Sequence, residues 1–170
     1  MPSVAILGLG NTVMRDDGVG ARVLDELARR YRLPPAVRLI RSDAPMARLL
    51  AEVDGVGHLI VVDAVRGGRP PGSVYRVERE QLASIGRRAC SSHGMGLTEL
   101  FALLEALDRC PEVRIIGVES GELNEAGPDL SGELSGPVAA ALPRAVDAVV
   151  EQLRRLGAAV EEREGRHHHA

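Results

Sequence analysis

The sequence predicts an α/β protein, a three-layer α/β/α sandwich around a mostly parallel, twisted sheet of about five strands. Three observations lead to this fold class. Short β-branched runs alternate along the chain with amphipathic helical patterns. The runs SVAILG and HLIVVDAV are almost entirely apolar, which is typical of strands covered by helices on both faces. The 170 residues suffice for one domain, and no internal repeat or linker divides them.

The first half of the chain alternates regularly between predicted strands and helices. Apolar residues repeat every four positions along the first helix, which Pro34 and Pro35 end. The predicted elements are a buried strand over 3–8, a helix of about four turns after the glycine-rich segment, a strand over 36–42, a short helix over 45–53 and a buried strand over 58–65.

The second half of the chain continues the same alternation. The alternating pattern of residues 72–78 predicts a strand nearer an edge of the sheet, and the polar stretch 119–134 predicts a loop that acts as a mobile flap. Pro143 predicts a kink or break in the last helix. The remaining predicted elements are a helix over 96–107, a buried strand over 113–119 and the closing helix over 135–156.

Composition limits the domain organisation and the partners. We predict one domain over residues 1–158 and a polar, disordered tail over 159–170. No apolar run is long enough to span a membrane, and the N-terminus lacks a signal peptide, so a cytoplasmic location is expected. The net charge of −3 and 2% aromatic content disfavour nucleic-acid binding. All 21 basic residues are arginine, which excludes a phosphate-binding, Schiff-base or Ser–Lys lysine.

Three polar residues fall where the predicted strands end or helices begin. Asp17 follows the first strand and its glycine-rich turn, Asp63 lies near the end of the third strand, and His93 precedes the helix over 96–107. Ligands of open α/β sheets bind beyond the carboxyl ends of the strands. Two carboxylates and one imidazole can form an open metal site that leaves positions for another molecule.

Each of these residues also has a purely structural interpretation. Asp16 or Asp17 can cap the following helix, Asp63 can pair with Arg66, and His93 can be an ordinary loop histidine. A dinucleotide site is disfavoured, because GLGNTVMRDDGVG lacks the tight G-x-G-x-x-G spacing and carries two acids that would repel phosphate.

Several sequence blocks resemble the hydrogenase maturation proteases. The motif G-x-G-N-x-x-x-x-D-D-G-x-G, from Gly8 to Gly20, resembles the opening signature of that family. The blocks LIVVDAVRGGRPPGSVYR and SSHGMGLTEL resemble its second and third blocks, and RIIGVES and LSGPVAAALPRAVDAVV resemble its closing strand and helix. The blocks occur in family order, and together they cover roughly residues 3–155.

The resemblance implies an α/β/α endopeptidase that removes the C-terminal extension of a nickel–iron hydrogenase large-subunit precursor after nickel insertion. The metal-contacting residues of the family correspond to Asp17, Asp63 and His93. The resemblance implies that nickel arrives with the substrate and serves in recognition, and another divalent ion is expected to substitute in vitro. Many members carry a Gly-Thr pair where this chain reads RSDAPMARLL, so the hydrogenase it serves is left open.

For the reaction, we predict attack by water near the metal, with Asp17 or Asp63 as the base. No G-x-S-x-G elbow is present, and Ser91, Ser92 and Cys90 are disfavoured as nucleophiles. Asp16 is expected to cap the helix or brace the loop. Two rival functions remain open: a non-catalytic nickel-binding hydrogenase accessory protein that uses the same residues, and a related protease of the spore-protein-degrading type.

Overall fold

The computed structural model describes residues 3–41, 46–84, 97–121 and 132–163. Its strands are β1 (Val4–Gly8), β2 (Tyr31–Arg32), β3 (Val37–Arg41), β4 (His58–Val65), β5 (Val74–Glu78), β6 (Glu112–Glu119) and β7 (Glu161–Glu162). Its helices are α1 (Val19–Arg30), α2 (Met46–Val53), α3 (Leu97–Ala106) and α4 (Gly136–Arg155), with two 3₁₀ turns at Arg15–Gly18 and Arg79–Ser84.

The central sheet has five strands in the order β3-β1-β4-β6-β5. Strands β3, β1, β4 and β6 are parallel, whereas β5 pairs antiparallel with β6 at one edge. The predicted sheet of about five mostly parallel strands is confirmed, as is the placement of residues 72–78 near an edge. Because these four strands are parallel, their carboxyl ends lie side by side at the same end of the sheet. Ligands bind at this end in open α/β sheets.

Helices cover both faces of the sheet, as the apolar strands predict. Side chains of β1, β4 and β6 alternate between the two faces. One set packs with α1 and α4 in the larger core, and the other packs with α2 and α3. The two cores confirm the three-layer arrangement.

Helix α1 begins directly against the sheet because Gly20 has no side chain. A Cβ at Gly20 would lie 2.4 Å from the Leu9 carbonyl oxygen and 2.5 Å from that of Val62. The Leu9 amide itself donates to the Val62 carbonyl oxygen over 2.8 Å, which ties the exit of β1 to β4. This close approach brings the turn before α1 to the carboxyl end of β4.

Two predictions about the C-terminal part of the chain need correction. The sequence predicts a kink or a break at Pro143; helix α4 continues through this residue, so the break is absent. The proline removes one backbone hydrogen bond, but the apolar face of α4 is buried in the larger core on both sides of it. Paired structure also extends beyond the predicted domain end at residue 158, because β7 pairs antiparallel with β2. Residues 164–170 and most of the predicted flap, 122–131, lie outside the described residues.

Among the described helices, none is both long enough and apolar enough to cross a membrane.

Candidate active site

Asp17 is held by the glycine-rich loop that follows β1. The Asn11 amide donates to Asp17 Oδ2 over 2.8 Å, and Asn11 Oδ1 accepts from the Val13 amide over 3.0 Å. Gly10 has φ 102°, and a Cβ there would lie 1.7 Å from the Asp17 carbonyl oxygen. Only glycine fits this position, because a side chain would strain the backbone and displace Asp17. The loop therefore orients a carboxylate that is 7% exposed.

Asp63 is a buried carboxyl group near the carboxyl end of β4. It is 3% exposed, and its Oδ1 has no hydrogen-bond partner in the part of the chain that the structure describes. Burial and, to a smaller extent, the negative charge of Asp17 together raise the pKa of Asp63 to about 7, against the opposing effect of the hydrogen bond from the Ala64 amide. The described residues form no ion pair with Asp63, so the alternative pairing with Arg66 does not occur there.

Asp17 and Asp63 therefore form a pair of interacting, largely buried carboxylates. Placing two such groups together is unfavourable unless a proton or a cation is shared between them. The unpartnered Asp63 Oδ1, together with the carboxylate of Asp17, could bind a divalent cation. Divalent transition metals that bind carboxylate oxygens also bind the imidazole of histidine. The structure brings together two of the three residues that the sequence analysis selected.

His93 lies outside the described residues, so its position stays a prediction. Asp63 lies on the same strand face as Leu59 and Val61, which pack in the core formed with α2 and α3. A short connection leads from α3 to the start of β6, so the first turn of α3 faces the carboxyl ends of the strands. His93 precedes that turn by only a few residues. Among residues 3–41, 46–84, 97–121 and 132–163, no group of three or more His, Cys, Asp or Glu could hold a metal.

Asp16 braces the site and caps neither the 3₁₀ turn nor α1. The residues at the N-terminal caps of these elements are Met14 and Gly18, and neither cap has a side-chain hydrogen bond. Asp16 instead accepts from the Gly121 amide over 2.8 Å, from the Ser135 amide over 2.7 Å and from the Ser135 hydroxyl over 2.8 Å. Asp16 thus ties the turn that carries Asp17 to the exit of β6 and the start of α4, which confirms the bracing role.

Replacing Asp16 with Ala is expected to destabilise the protein by about 3 kcal/mol or more, because two amides and a hydroxyl would lose a charged acceptor. Urea denaturation measures the change. Asp147→Ala is the matched control, since Asp147 is exposed on α4. Equal stabilities of the two variants would contradict the bracing role.

A further buried acid, Glu119, was not among the residues selected from the sequence. It accepts from the Gly67 amide over 2.8 Å, from the Gly68 amide over 3.2 Å and from the Tyr75 hydroxyl. Glu119 therefore holds the loop that leaves β4 just after Asp63. The signal was present in the sequence, because Glu119 ends the apolar strand VRIIGVE as Asp63 follows HLIVV.

The fold and the paired carboxylates define an α/β protein with an acidic centre near the carboxyl ends of its parallel strands. The hydrogenase maturation protease family model matches residues 21–152. The hydrogenase expression/formation protein HoxM of Azotobacter vinelandii is 34% identical over 166 residues, covering 96% of this chain and 78% of the relative. The hydrogenase 2 maturation protease of Escherichia coli is 26% identical, covering 96% of this chain and 98% of the relative.

The structural comparison agrees with the sequence comparisons. The hydrogenase maturating endopeptidase HybD from E. coli superposes with a TM-score of 0.81 and 27% identity, covering 94% of this chain and 97% of that one. The chain belongs to the hydrogenase maturation protease family, which confirms the resemblance. It is a hydrolase of the endopeptidase class, as predicted.

Proposed function

We propose that this endopeptidase removes the C-terminal extension of a nickel–iron hydrogenase large-subunit precursor after nickel has been inserted. The observation that carries the proposal is the buried pair Asp17 and Asp63, with Asp63 Oδ1 unpartnered among the described residues. These two carboxylates could bind a cation that the substrate carries. Family membership supports a hydrogenase precursor as the partner.

In this proposal the nickel belongs to the substrate, and Asp17, Asp63 and His93 are the residues that contact it. The bound ion contributes positive charge beside the scissile bond and makes recognition depend on prior nickel insertion. Another divalent ion substitutes in vitro only if it fits the same oxygen and imidazole donors. The open, incomplete donor set on this chain supports a shared site, because the precursor can supply the remaining ligands.

Hydrolysis then requires a base for water and an acid for the leaving amine. Water adds to the scissile carbonyl carbon, the C–N bond breaks, and one carboxylate transfers the proton of water to the departing amine. A carboxylate that ligates the ion cannot hold that proton at the same moment, so during cleavage one of Asp17 and Asp63 keeps its contact with the ion while the other acts as the base. The buried surroundings of the pair strengthen the electrostatic interactions of both groups.

A non-catalytic nickel-binding accessory protein would use the same residues and release no peptide. The two functions separate when the precursor is co-expressed with nickel and with the wild-type chain, the Asp17→Asn variant or no partner. Intact-mass spectrometry is expected to show loss of a C-terminal peptide only with the wild-type chain. The proposal is contradicted if the precursor keeps its full mass when co-expressed with the wild-type chain, or if Asp17→Asn processes it at the wild-type rate.

The cytoplasmic location stays a prediction, which fractionation of the same cells checks.

A further inference from the structure

The loop over residues 66–72, here called the arginine loop, is exposed up to Pro71 and is held by several hydrogen bonds. It leaves β4 three residues after Asp63 and carries Arg66 and Arg69. At the start of the loop, the carboxylate of Glu119 accepts hydrogen bonds from the amides of Gly67 and Gly68. A buried carboxylate that accepts two amides of one surface loop fixes the backbone of that loop.

The far end of the arginine loop is fixed as well. The Gly72 amide donates to the Glu119 carbonyl oxygen over 2.8 Å, and the Arg144 guanidinium donates to the Gly72 carbonyl oxygen over 2.9 Å. A Cβ at Gly72 would lie 2.4 Å from the Pro137 carbonyl oxygen, so the loop packs directly on the start of α4. Pro70 and Pro71 further restrict the backbone before this anchor.

The two guanidinium groups of the loop differ in their surroundings. The Arg69 guanidinium lies 4.7 Å from the centre of the Tyr75 ring, a cation–π contact that leaves its edge available to a ligand. Arg66 is exposed and has neither a hydrogen bond nor an ion pair with the described residues. Many other described arginines pair with acids of this chain; examples are Arg76 with Glu151 and Arg114 with Glu78.

We propose that Arg66 and Arg69 bind a carboxylate of the precursor peptide and thereby set its register beside Asp63, an inference that rests on the proposed function. Guanidinium groups bind carboxylates through two parallel hydrogen bonds, and a braced loop loses little entropy when it does so. Three residues of extended chain span about 10 Å, so the bound carboxylate lies about three to five residues from the cleaved bond. It comes from an acidic side chain or from the C-terminus of the extension.

The test measures precursor binding and cleavage separately, with the full chain and the nickel-loaded precursor. Arg66→Gln is expected to raise Kd and KM about tenfold, and Arg66→Glu about 100-fold, with kcat unchanged. Arg154→Gln is the matched control, because Arg154 is also exposed and has no ion pair in the described part of the chain. Added salt should raise the Kd of the wild-type chain and reduce the difference in Kd between the wild-type chain and the Arg66→Gln variant.

Two precursor variants identify the carboxylate. Amide replacements of acids near the cleaved bond, or added residues that displace the C-terminus, should reproduce the effect of Arg66→Gln and should not add to it. The inference is overturned if the Arg66→Gln and Arg66→Glu variants bind the precursor with the same Kd as the Arg154→Gln variant. A wild-type chain that binds but does not cleave contradicts the proposed function, while the binding comparison still decides the role of Arg66.

Discussion

Replacing Asp63 with Asn is expected to lower the rate of precursor processing by at least about 1,000-fold. The amide has nearly the same shape, so the packing of β4 is preserved. It carries no negative charge, however, and can neither accept a proton from water nor hold a cation with a neighbouring carboxylate. The rate is measured as the disappearance of full-length, nickel-loaded precursor by intact-mass spectrometry.

The matched control for this variant is Asp147→Asn, which removes one exposed carboxylate from α4. Its rate should equal that of the wild-type chain. The far-ultraviolet circular dichroism of the Asp63→Asn variant should show that the fold is retained. An Asp63→Asn variant that processes precursor within tenfold of the wild-type rate would remove Asp63 from the catalytic centre.

The same substitution should stabilise the metal-free protein above neutral pH. Burial and Asp17 raise the pKa of Asp63 from 3.8 to about 7 in the folded protein. Below about pH 4 the group is protonated in the folded and the unfolded chain. Between about pH 4 and pH 7 only the unfolded chain loses the proton, so the wild-type protein loses stability as the pH rises. Above about pH 7 the loss is complete.

The expected loss over this interval is about 4 kcal/mol, since each pKa unit corresponds to about 1.4 kcal/mol. Urea denaturation of the chelator-treated wild-type and Asp63→Asn proteins from pH 4 to pH 8 measures it. The stability difference between the two proteins should grow through this interval and level off above it. A difference that is independent of pH would show that Asp63 is not held protonated in the folded state.

The sheet could be read from the sequence because its determinants are local. The strand predicted over 58–65 has the same bounds as β4, since a short run rich in β-branched residues favours a strand over a helix. The absence of a break at Pro143 has a determinant that is not local. A proline disfavours a helix locally, but the packing of α4 in the larger core is a tertiary effect that a residue pattern does not contain. The pairing of β2 with β7 joins two-residue strands that are too short to leave a pattern.

The candidate site was predictable in its residue types and only partly in its contacts. Asp63 follows the apolar run LIVV within β4, where a buried carboxylate needs a ligand or a partner, so its importance can be inferred from the sequence. The bonds from Asp16 to Gly121 and Ser135 connect positions more than 100 residues apart, so no local pattern predicts them. Glu119 obeys the argument used for Asp63, yet it braces a loop. The position of a buried acid therefore does not reveal whether it serves catalysis or architecture.

The intact mass of a purified hydrogenase large-subunit precursor, measured after incubation with this chain, shows whether Asp17 and Asp63 act on a nickel-bearing substrate. Four reactions combine nickel-loaded or nickel-free precursor with the wild-type chain or Asp17→Asn. We expect loss of the C-terminal extension in one reaction alone, that of nickel-loaded precursor with the wild-type chain. Equal cleavage of nickel-free precursor, or equal cleavage by Asp17→Asn, would contradict a centre in which Asp17 and Asp63 act on the nickel-bearing substrate.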